Sequence, residues 1–169
     1  MDRASWNKAR EAIVAAALPH IPFDGWTERA LVAGARAAGM EASEAARLFP
    51  RGPVEAIEVY SGMADRAMAE AVAALPAETK MRERIAGGIR ARLDFVAPHK
   101  EAVRRATNVL ALPHNAPTGV RLLYRTVDAL WYAAGDKATD FNFYTKRAIL
   151  AAICSATFLY WFNDRSIDH

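Results

Sequence analysis

The sequence AILAAICSATFLYWF, residues 148–162, is the stretch that decides the fold class. It is apolar for about four helical turns, with only Ser155 and Thr157 interrupting, and it contains no glycine or proline. It is shorter than the roughly 20 apolar residues that span a bilayer. Because a helix that is apolar all round must be covered on every side, we expect it in the centre of a helical bundle, at a subunit interface or in the wall of a lipid cavity.

The segments before this stretch also have helical periodicity. Apolar residues recur at a spacing of about 3.6 over residues 54–75, 80–97, 99–112 and 120–134, and the last helix should extend over 141–163. Prolines and glycines end these segments. No sustained alternation with a period of two occurs between turn residues, so no strand is predicted. The predicted fold class is all-α, a bundle of about seven to eight helices.

The N-terminal part of the chain contains three shorter helical segments, residues 5–18, 24–39 and 43–49. Ser5 and Asp24 are predicted to cap the first two of them. The second and third segments are separated by a tight turn, and long helices follow. This order is that of a helix-turn-helix with a helical bundle behind it.

The charges of this helix-turn-helix do not suit DNA. A helix that reads DNA begins with residues that reach phosphates and base edges. Here the third segment has Glu41 and Glu44 near its start, and Arg47 is its only cation. The first 50 residues carry six basic and six acidic side chains, so they have no net positive charge for binding phosphates. We predict that residues 1–52 form a vestigial helix-turn-helix region that binds no nucleic acid.

The composition fits a compact protein. The chain has 169 residues, of which 53% are apolar and 24% charged, which excludes a disordered or fibrous protein. Lys and Arg number 22 and Asp and Glu 19, so the net charge is +3. The basic excess lies in residues 80–105, where eight basic side chains face three acidic ones. This segment is either a solvated face or a surface for an anionic membrane or an acidic partner.

The compartment is predicted from one cysteine and from the N-terminus. Cys154 is the only cysteine, so no intrachain disulfide can form, and its apolar neighbours predict a small buried side chain. No signal-peptide core precedes the first helix, and no stretch is long enough to span a membrane. We therefore expect a soluble cytoplasmic protein in a reducing compartment.

The motifs of catalysis and of metal or nucleotide binding are missing. No glutamate stands three residues before a histidine, as it does in di-iron bundles, and no phosphate-binding glycine motif occurs. Gly87 and Gly88 lie inside a helical segment, where they are expected to permit a close helix crossing or a bend. We predict no enzyme activity, no metal and no cofactor. The four histidines, His20, His99, His114 and His169, lie far apart.

Aromatic side chains surround the turn before the last helix. Aromatic residues grouped with cations in this way are typical of interface anchors, although packing in the core also explains such a group. The group consists of Trp131, Tyr132, Phe141, Phe143 and Tyr144, followed by Lys146 and Arg147.

The residues in and around this turn resemble a known family. The pattern runs through Asp128, Trp131-Tyr132, Ala134-Gly135-Asp136, Thr139-Asp140-Phe141-Asn142, Tyr144-Thr145, Arg147, Leu150 and Ile153, and Leu112-Pro113-His114-Asn115 precedes it. It is similar to the signature of the ninth coenzyme Q biosynthesis protein family. Weaker similarity, including Phe49-Pro50-Arg51-Gly52, covers the rest of the chain.

The resemblance implies a TetR-like fold that binds no DNA and holds isoprenoid lipids. The implied function is that of a non-catalytic accessory protein of ubiquinone biosynthesis, which presents quinone intermediates to the di-iron demethoxyubiquinone hydroxylase. The expected ligands are ubiquinone precursors and phospholipid, and a homodimer is expected. Residues 53–169 would then be the lipid-binding and dimerisation bundle.

The family's partner-binding positions fall on Leu130, Asp140, Phe143, Tyr144 and Arg147 in this sequence. Phe143 stands where the family often has tryptophan, so the aromatic ring is kept and the indole N–H donor is lost. The sequence ends where the family continues into a membrane-docking amphipathic helix. A bacterial member would be peripheral to the inner membrane, and a eukaryotic one would lie on the matrix side.

Apolar residues of the later helices are the predicted lipid-binding set. A polyprenyl tail needs an apolar lining, and each buried CH₂ contributes roughly 0.8 kcal/mol. The same residues would equally serve as ordinary core. They are Ile85, Ile89, Leu93, Leu123, Val127, Ile149, Ile153 and Phe158.

Two other functions fit the same helices. One is a TetR-family transcriptional regulator that a small molecule releases from DNA, against which the charge of the helix-turn-helix argues. The other is an interaction protein without a ligand, in which the last helix is a dimer interface only.

Overall fold

The computed structural model describes residues 2–136 and 142–164, with the backbone alone described at 142 and 143. This part of the chain is helical and contains no strand, as the sequence predicts. Eight helices have seven residues or more, and α2 is a four-residue helix. The helices are α1 (Arg3–Ala17), α2 (Ile21–Asp24), α3 (Glu28–Ala37), α4 (Ala42–Leu48), α5 (Pro53–Ala73), α6 (Met81–Val96), α7 (Lys100–Leu110), α8 (Ala116–Ala134) and α9 (Asn142–Asn163), and a 3₁₀ turn (Ala97–His99) precedes α7.

The chain divides into two compact units. The first contains residues 2–64 and 96–119, and the second contains residues 65–95 and 120–164 of the described chain. Each unit is thus assembled from two separate segments. The division by function into 1–52 and 53–169 stays a prediction.

Two of the predicted caps are wrong. Ser5 lies inside α1, and the cap is Asp2, whose carboxylate accepts a hydrogen bond from the Ser5 backbone N–H at 2.7 Å. Asp24 ends the short helix α2, and Thr27 caps α3 by accepting from the Ala30 N–H at 3.3 Å. The reason is Gly25, which follows α2 with φ +70° and turns the chain, so the next helix starts later than the apolar spacing suggested.

The core of the first unit lies where α1 crosses α3. A side chain at Gly34 would place its Cβ 2.5 Å from the Ile13 carbonyl oxygen and 2.8 Å from the Ala17 Cβ, so glycine permits the close approach of the two helices. The α7 segment joins this unit through Trp26, whose indole N–H donates to the Ala102 carbonyl at 2.8 Å. Trp26 is 7% exposed.

The core of the second unit is formed by α5, α8 and α9. Its buried members are Met68, Val72, Val127, Leu130, Leu150 and Cys154. Gly88 of α6 packs against this core: a Cβ there would lie 2.9 Å from Val72 Cγ2 and would overlap Leu130 Cδ1. The sequence-based expectation of a close helix crossing is therefore met at Gly88. Its neighbour Gly87 has only Leu75 Cδ1 at 3.6 Å.

Candidate functional site

Four of the predicted lipid-binding residues come together in the second unit. Val127 is fully buried in the core, and Ile85, Ile89 and Leu123 pack against the core while staying partly exposed. They lie on α6 and α8, so two helices that are distant in sequence present their apolar sides to the same cluster. The apolar spacing correctly indicated these sides, but whether they hold lipid stays a prediction.

Ile149 and Ile153 lie on the outer side of α9. They are 57% and 48% exposed, whereas Leu150 and Cys154 of the same helix are buried in the core. Of the three predicted positions for α9, the centre of the bundle is wrong, because only one side of the helix packs against α5 and α8. The subunit interface and the wall of a lipid cavity stay predictions. The exposed side is an apolar surface without a cover among the described residues.

Leu93 and Phe158 are half-buried. Phe158 belongs to an aromatic group near the C-terminal end of α9, with its ring centroid 6.1 Å from that of Trp161 and 6.1 Å from that of Phe162. The Arg92 guanidinium carbon lies 5.2 Å above the Phe158 ring. This geometry is a cation–π contact that holds the aromatic ring beside a charged group.

A polar cluster that the sequence analysis missed lies in the same unit. Asp65 on α5 accepts hydrogen bonds from Arg92 Nε at 2.9 Å and from the Thr126 hydroxyl at 2.7 Å, and Arg125 Nε lies 3.5 Å from its other oxygen. The Asp65 side chain is 8% exposed. These contacts from α6 and α8 to one buried carboxylate of α5 tie the three helices together. The sequence contained one signal of this cluster, because the carboxylate of Asp65 directly follows Ala64, a member of the apolar pattern of α5.

Cys154 is a buried thiol, as its apolar neighbours predict. Burial raises its pKa, and the positive charge of Arg92 opposes that shift only in part. The thiol is therefore protonated near neutral pH, which argues against a reactive cysteine.

The predicted partner-binding residues differ in their exposure. Tyr144 is 69% exposed, whereas Leu130 is fully buried in the core. Arg147 is 5% exposed and is held by Asp128, which accepts from Arg147 Nε at 2.8 Å. Asp140 and the side chain of Phe143 lie outside the described residues.

Two more aromatic residues stand near this turn. Tyr132 is 83% exposed. Trp131 is half-buried, and the Lys146 ammonium lies 5.8 Å from its ring centroid and 3.3 Å from an Asp136 carboxylate oxygen. Among the described members of the aromatic group, Trp131 packs against the core, and Tyr132 and Tyr144 lie at the surface. Phe141 lies outside the described residues.

The described residues contain neither a metal-binding cluster nor a membrane-spanning helix. No group of three or more His, Cys, Asp or Glu side chains within residues 2–136 and 142–164 is arranged to hold a metal ion. No helix in this part of the chain has the length and hydropathy that a membrane-spanning segment requires.

The arrangement of helices defines a TetR-like fold. A solved structure of a TetR transcriptional regulator from Nitrosomonas europaea superposes with a TM-score of 0.72, covering 93% of this chain and 87% of the other at 24% identity. This likeness shows the fold.

The sequence comparisons find similarity to one family. The model of the COQ9 family matches residues 116–169. The mitochondrial ubiquinone biosynthesis protein COQ9 of Homo sapiens is 34% identical over 99% of this chain and 55% of its own length. That of Drosophila melanogaster is 31% identical over 99% of this chain and 52% of its own length. The chain is thus homologous to the COQ9 proteins, which confirms the resemblance in its sequence, and it spans about half the length of these relatives.

Proposed function

We propose that this chain is a non-catalytic accessory protein of ubiquinone biosynthesis that binds isoprenoid quinone intermediates. It would present them to the di-iron demethoxyubiquinone hydroxylase. The observation that carries this proposal is the apolar surface of the second unit, where Ile153 is exposed on a helix whose opposite side is core. The homology to COQ9 proteins supplies the pathway.

The physical need for such a protein comes from the ligand. A quinone with a polyprenyl tail is almost insoluble in water, so its transfer to a peripheral enzyme requires an apolar surface that moves with it. Each CH₂ that is buried contributes roughly 0.8 kcal/mol, so a few isoprene units bind without a specific polar contact. The partly exposed Ile85, Ile89 and Leu123 are the side chains beside the core that could take part.

A homodimer is part of this proposal, and the outer side of α9 supports it. Its exposed residues follow the alternating spacing of four and three that forms a helix–helix seam, with small alanines at the centre. In an antiparallel pair related by a two-fold axis near Cys154, Ile149 would meet Leu159 of the second copy, and Ala152 would meet Ala156. The exposed positions of the seam are Thr145, Ile149, Ala152, Ala156, Leu159 and Asn163.

Docking of the hydroxylase would use the exposed tyrosines. Tyr132 and Tyr144 present large aromatic surfaces to solvent, and tyrosine is enriched among the residues that dominate binding energy. Arg147 lies near the start of α9, and its guanidinium is buried against Asp128 of α8. It would therefore hold the docking surface in position and would not contact the hydroxylase itself. A place at the surface of the inner membrane belongs to the same proposal, since the relatives are named as mitochondrial.

The alternative of a TetR-family regulator is weaker. Arg47, the one cation of α4, donates from Nε to Glu44 at 2.9 Å and lies 5.3 Å above the Trp6 ring. Its guanidinium is therefore already bound within the unit, and Glu41 stands exposed at the start of α4. A recognition helix with this charge distribution repels phosphate.

Lipid extraction tests the proposed function. Organic extracts of the purified protein would be analysed by mass spectrometry, with Ile153→Lys as the test variant and Val120→Lys as its control. Val120 is exposed on α8, so both changes add one lysine at a solvent-exposed apolar position. We expect stoichiometric isoprenoid quinone or phospholipid with the wild type and with Val120→Lys, and its loss from Ile153→Lys that is still folded.

Clean extracts from well-folded wild type would contradict lipid carriage. The function would then reduce to docking, which a hydroxylase pull-down with Tyr144→Lys examines separately.

A further inference from the structure

The first unit contains an open cleft that the proposed lipid binding does not use. It has a volume of about 160 Å³ and lies between α3, α4 and the turn after α4. That turn is Phe49-Pro50-Arg51-Gly52, a motif for which the proposed function has no role. The cleft therefore adds a feature to the helix-turn-helix region, which the sequence suggested was vestigial.

The floor of the cleft is apolar and fixed. Leu31, Ala45 and Phe49 are 2%, 4% and 3% exposed. The Phe49 ring is covered from within the unit by the Arg10 guanidinium, whose carbon lies 5.1 Å from the ring centroid. Gly52, with φ +73°, turns the chain at the edge of the cleft. An apolar cavity of about 150 Å³ accommodates a benzene ring, so this cleft has room for one Phe- or Leu-sized side chain.

One carboxylate lies in the lining of the cleft. Glu28 is exposed and is the charged residue in the lining. Its carboxylate forms no hydrogen bond or ion pair with the part of the chain that the structure describes. It therefore stays hydrated and available to a cation from outside.

We propose that this cleft docks a protein segment in which one apolar side chain is flanked by lysine or arginine. The apolar side chain would fill the space above Leu31 and Phe49, and a flanking cation would pair with Glu28. This site lies in the first unit, so it is independent of lipid binding by the second unit.

Charge and size separate a protein segment from the other ligands. A nucleic acid would bring phosphates toward Glu28 and toward Glu41 at the start of α4, which is unfavourable. A polyprenyl chain of several units exceeds a cleft of about 160 Å³. One anchoring side chain with a neighbouring cation matches both the volume and the charge.

Capped tripeptides test the proposal by amide chemical shifts of the isotope-labelled full chain. The probes are Lys-Phe-Lys, Glu-Phe-Glu and Lys-Ala-Lys, each acetylated and amidated. We expect Lys-Phe-Lys to shift the amides of Val32, Ala45 and Ala46, and Lys-Ala-Lys to leave them in place. An exposed ion pair changes affinity by about two- to fivefold, so Glu-Phe-Glu should bind weaker by that factor.

Two variants make the test specific. Glu28→Gln should abolish the difference between the lysine and glutamate peptides, whereas Glu83→Gln, an exposed carboxylate of α6, should preserve it. Ala46→Trp should fill the cleft and abolish binding, while Ala86→Trp on α6 should not; both alanines are exposed, so both variants should fold.

Three results would overturn the proposal: equal binding of the lysine and glutamate peptides, shifts that do not need the phenylalanine, or shifts that persist in Ala46→Trp. Loss of lipid from the second unit would leave all of these outcomes unchanged, so the two functions are tested apart.

Discussion

Replacing Gly88 with alanine should destabilise the second unit, although alanine is the better helix former. The new Cβ would lie 2.9 Å from Val72 Cγ2 and 3.4 Å from Met68 Cγ, and it would overlap Leu130 Cδ1. All three neighbours are fully buried. An extra methyl group in a filled core costs about 1–3 kcal/mol, while the change from glycine to alanine in a helix gains about 1 kcal/mol.

The adjacent Gly87 provides the matched control. Its Cβ would meet only Leu75 Cδ1 at 3.6 Å, an ordinary contact, so Gly87→Ala keeps the gain in helix propensity without the overlap. Because that gain is common to both variants, the difference between them isolates the cost of overpacking. We expect Gly87→Ala to be more stable than Gly88→Ala by about 1–3 kcal/mol.

Urea unfolding followed by circular dichroism at the helical band measures both variants. The free energy of unfolding should fall with urea concentration at the same slope in both variants, so that the midpoints report stability. Equal midpoints for Gly87→Ala and Gly88→Ala would refute the close approach of α6 to the core. A lower midpoint for Gly87→Ala would contradict the assignment of the two glycines to their sides of the helix.

Three further outcomes are expected. Asp65→Asn should lower the free energy of unfolding by about 3 kcal/mol, because it removes the carboxylate charge from a buried ion pair with Arg92. Thermal and urea unfolding check this, and an unchanged midpoint would contradict it. Burial raises the pKa of Cys154, so the thiol of the unfolded chain loses its proton at a lower pH than that of the folded chain, and the free energy of unfolding should fall as pH rises above about 8.5. Cys154→Ala should remove that fall. If wild type and variant have the same alkaline stability profile, the prediction is disproved. Ala152→Glu should convert a dimer to a monomer in sedimentation equilibrium while leaving helicity intact, and a dimer that persists would exclude the α9 seam.

Helix positions and the fold class could be predicted because they depend on local spacing. The apolar period placed α5, α6 and α8 to within a few residues, and the homology confirmed the resemblance around the turn before α9. The first residue of a helix is harder to predict from the sequence than its position, since several residues that can cap a helix occur close together. Both Ser5 and Asp2 can accept a capping bond, and only the geometry selects Asp2.

The candidate site was predictable only in part. The apolar spacing of α6 and α8 predicts that Ile85 and Val127 belong to one cluster, and the structure brings them together. The pairing of Asp65 with Arg92 joins residues 27 positions apart, and nothing in the local pattern specifies it. An apolar pattern alone also does not distinguish a core position such as Leu150 from a surface position such as Ile149, because both are satisfied by the same residue types.

The buried indole of Trp26 gives the molecule an optical probe. Trp26 lies in the first unit with its N–H bonded to Ala102, and Trp161, 5% exposed, lies in the second. Each unit therefore carries a shielded fluorophore whose emission shifts to the red when water reaches it. Two variants, one keeping only Trp26 and the other only Trp161, with phenylalanine at the other tryptophan positions, would record whether both units melt in a single cooperative step or one after the other.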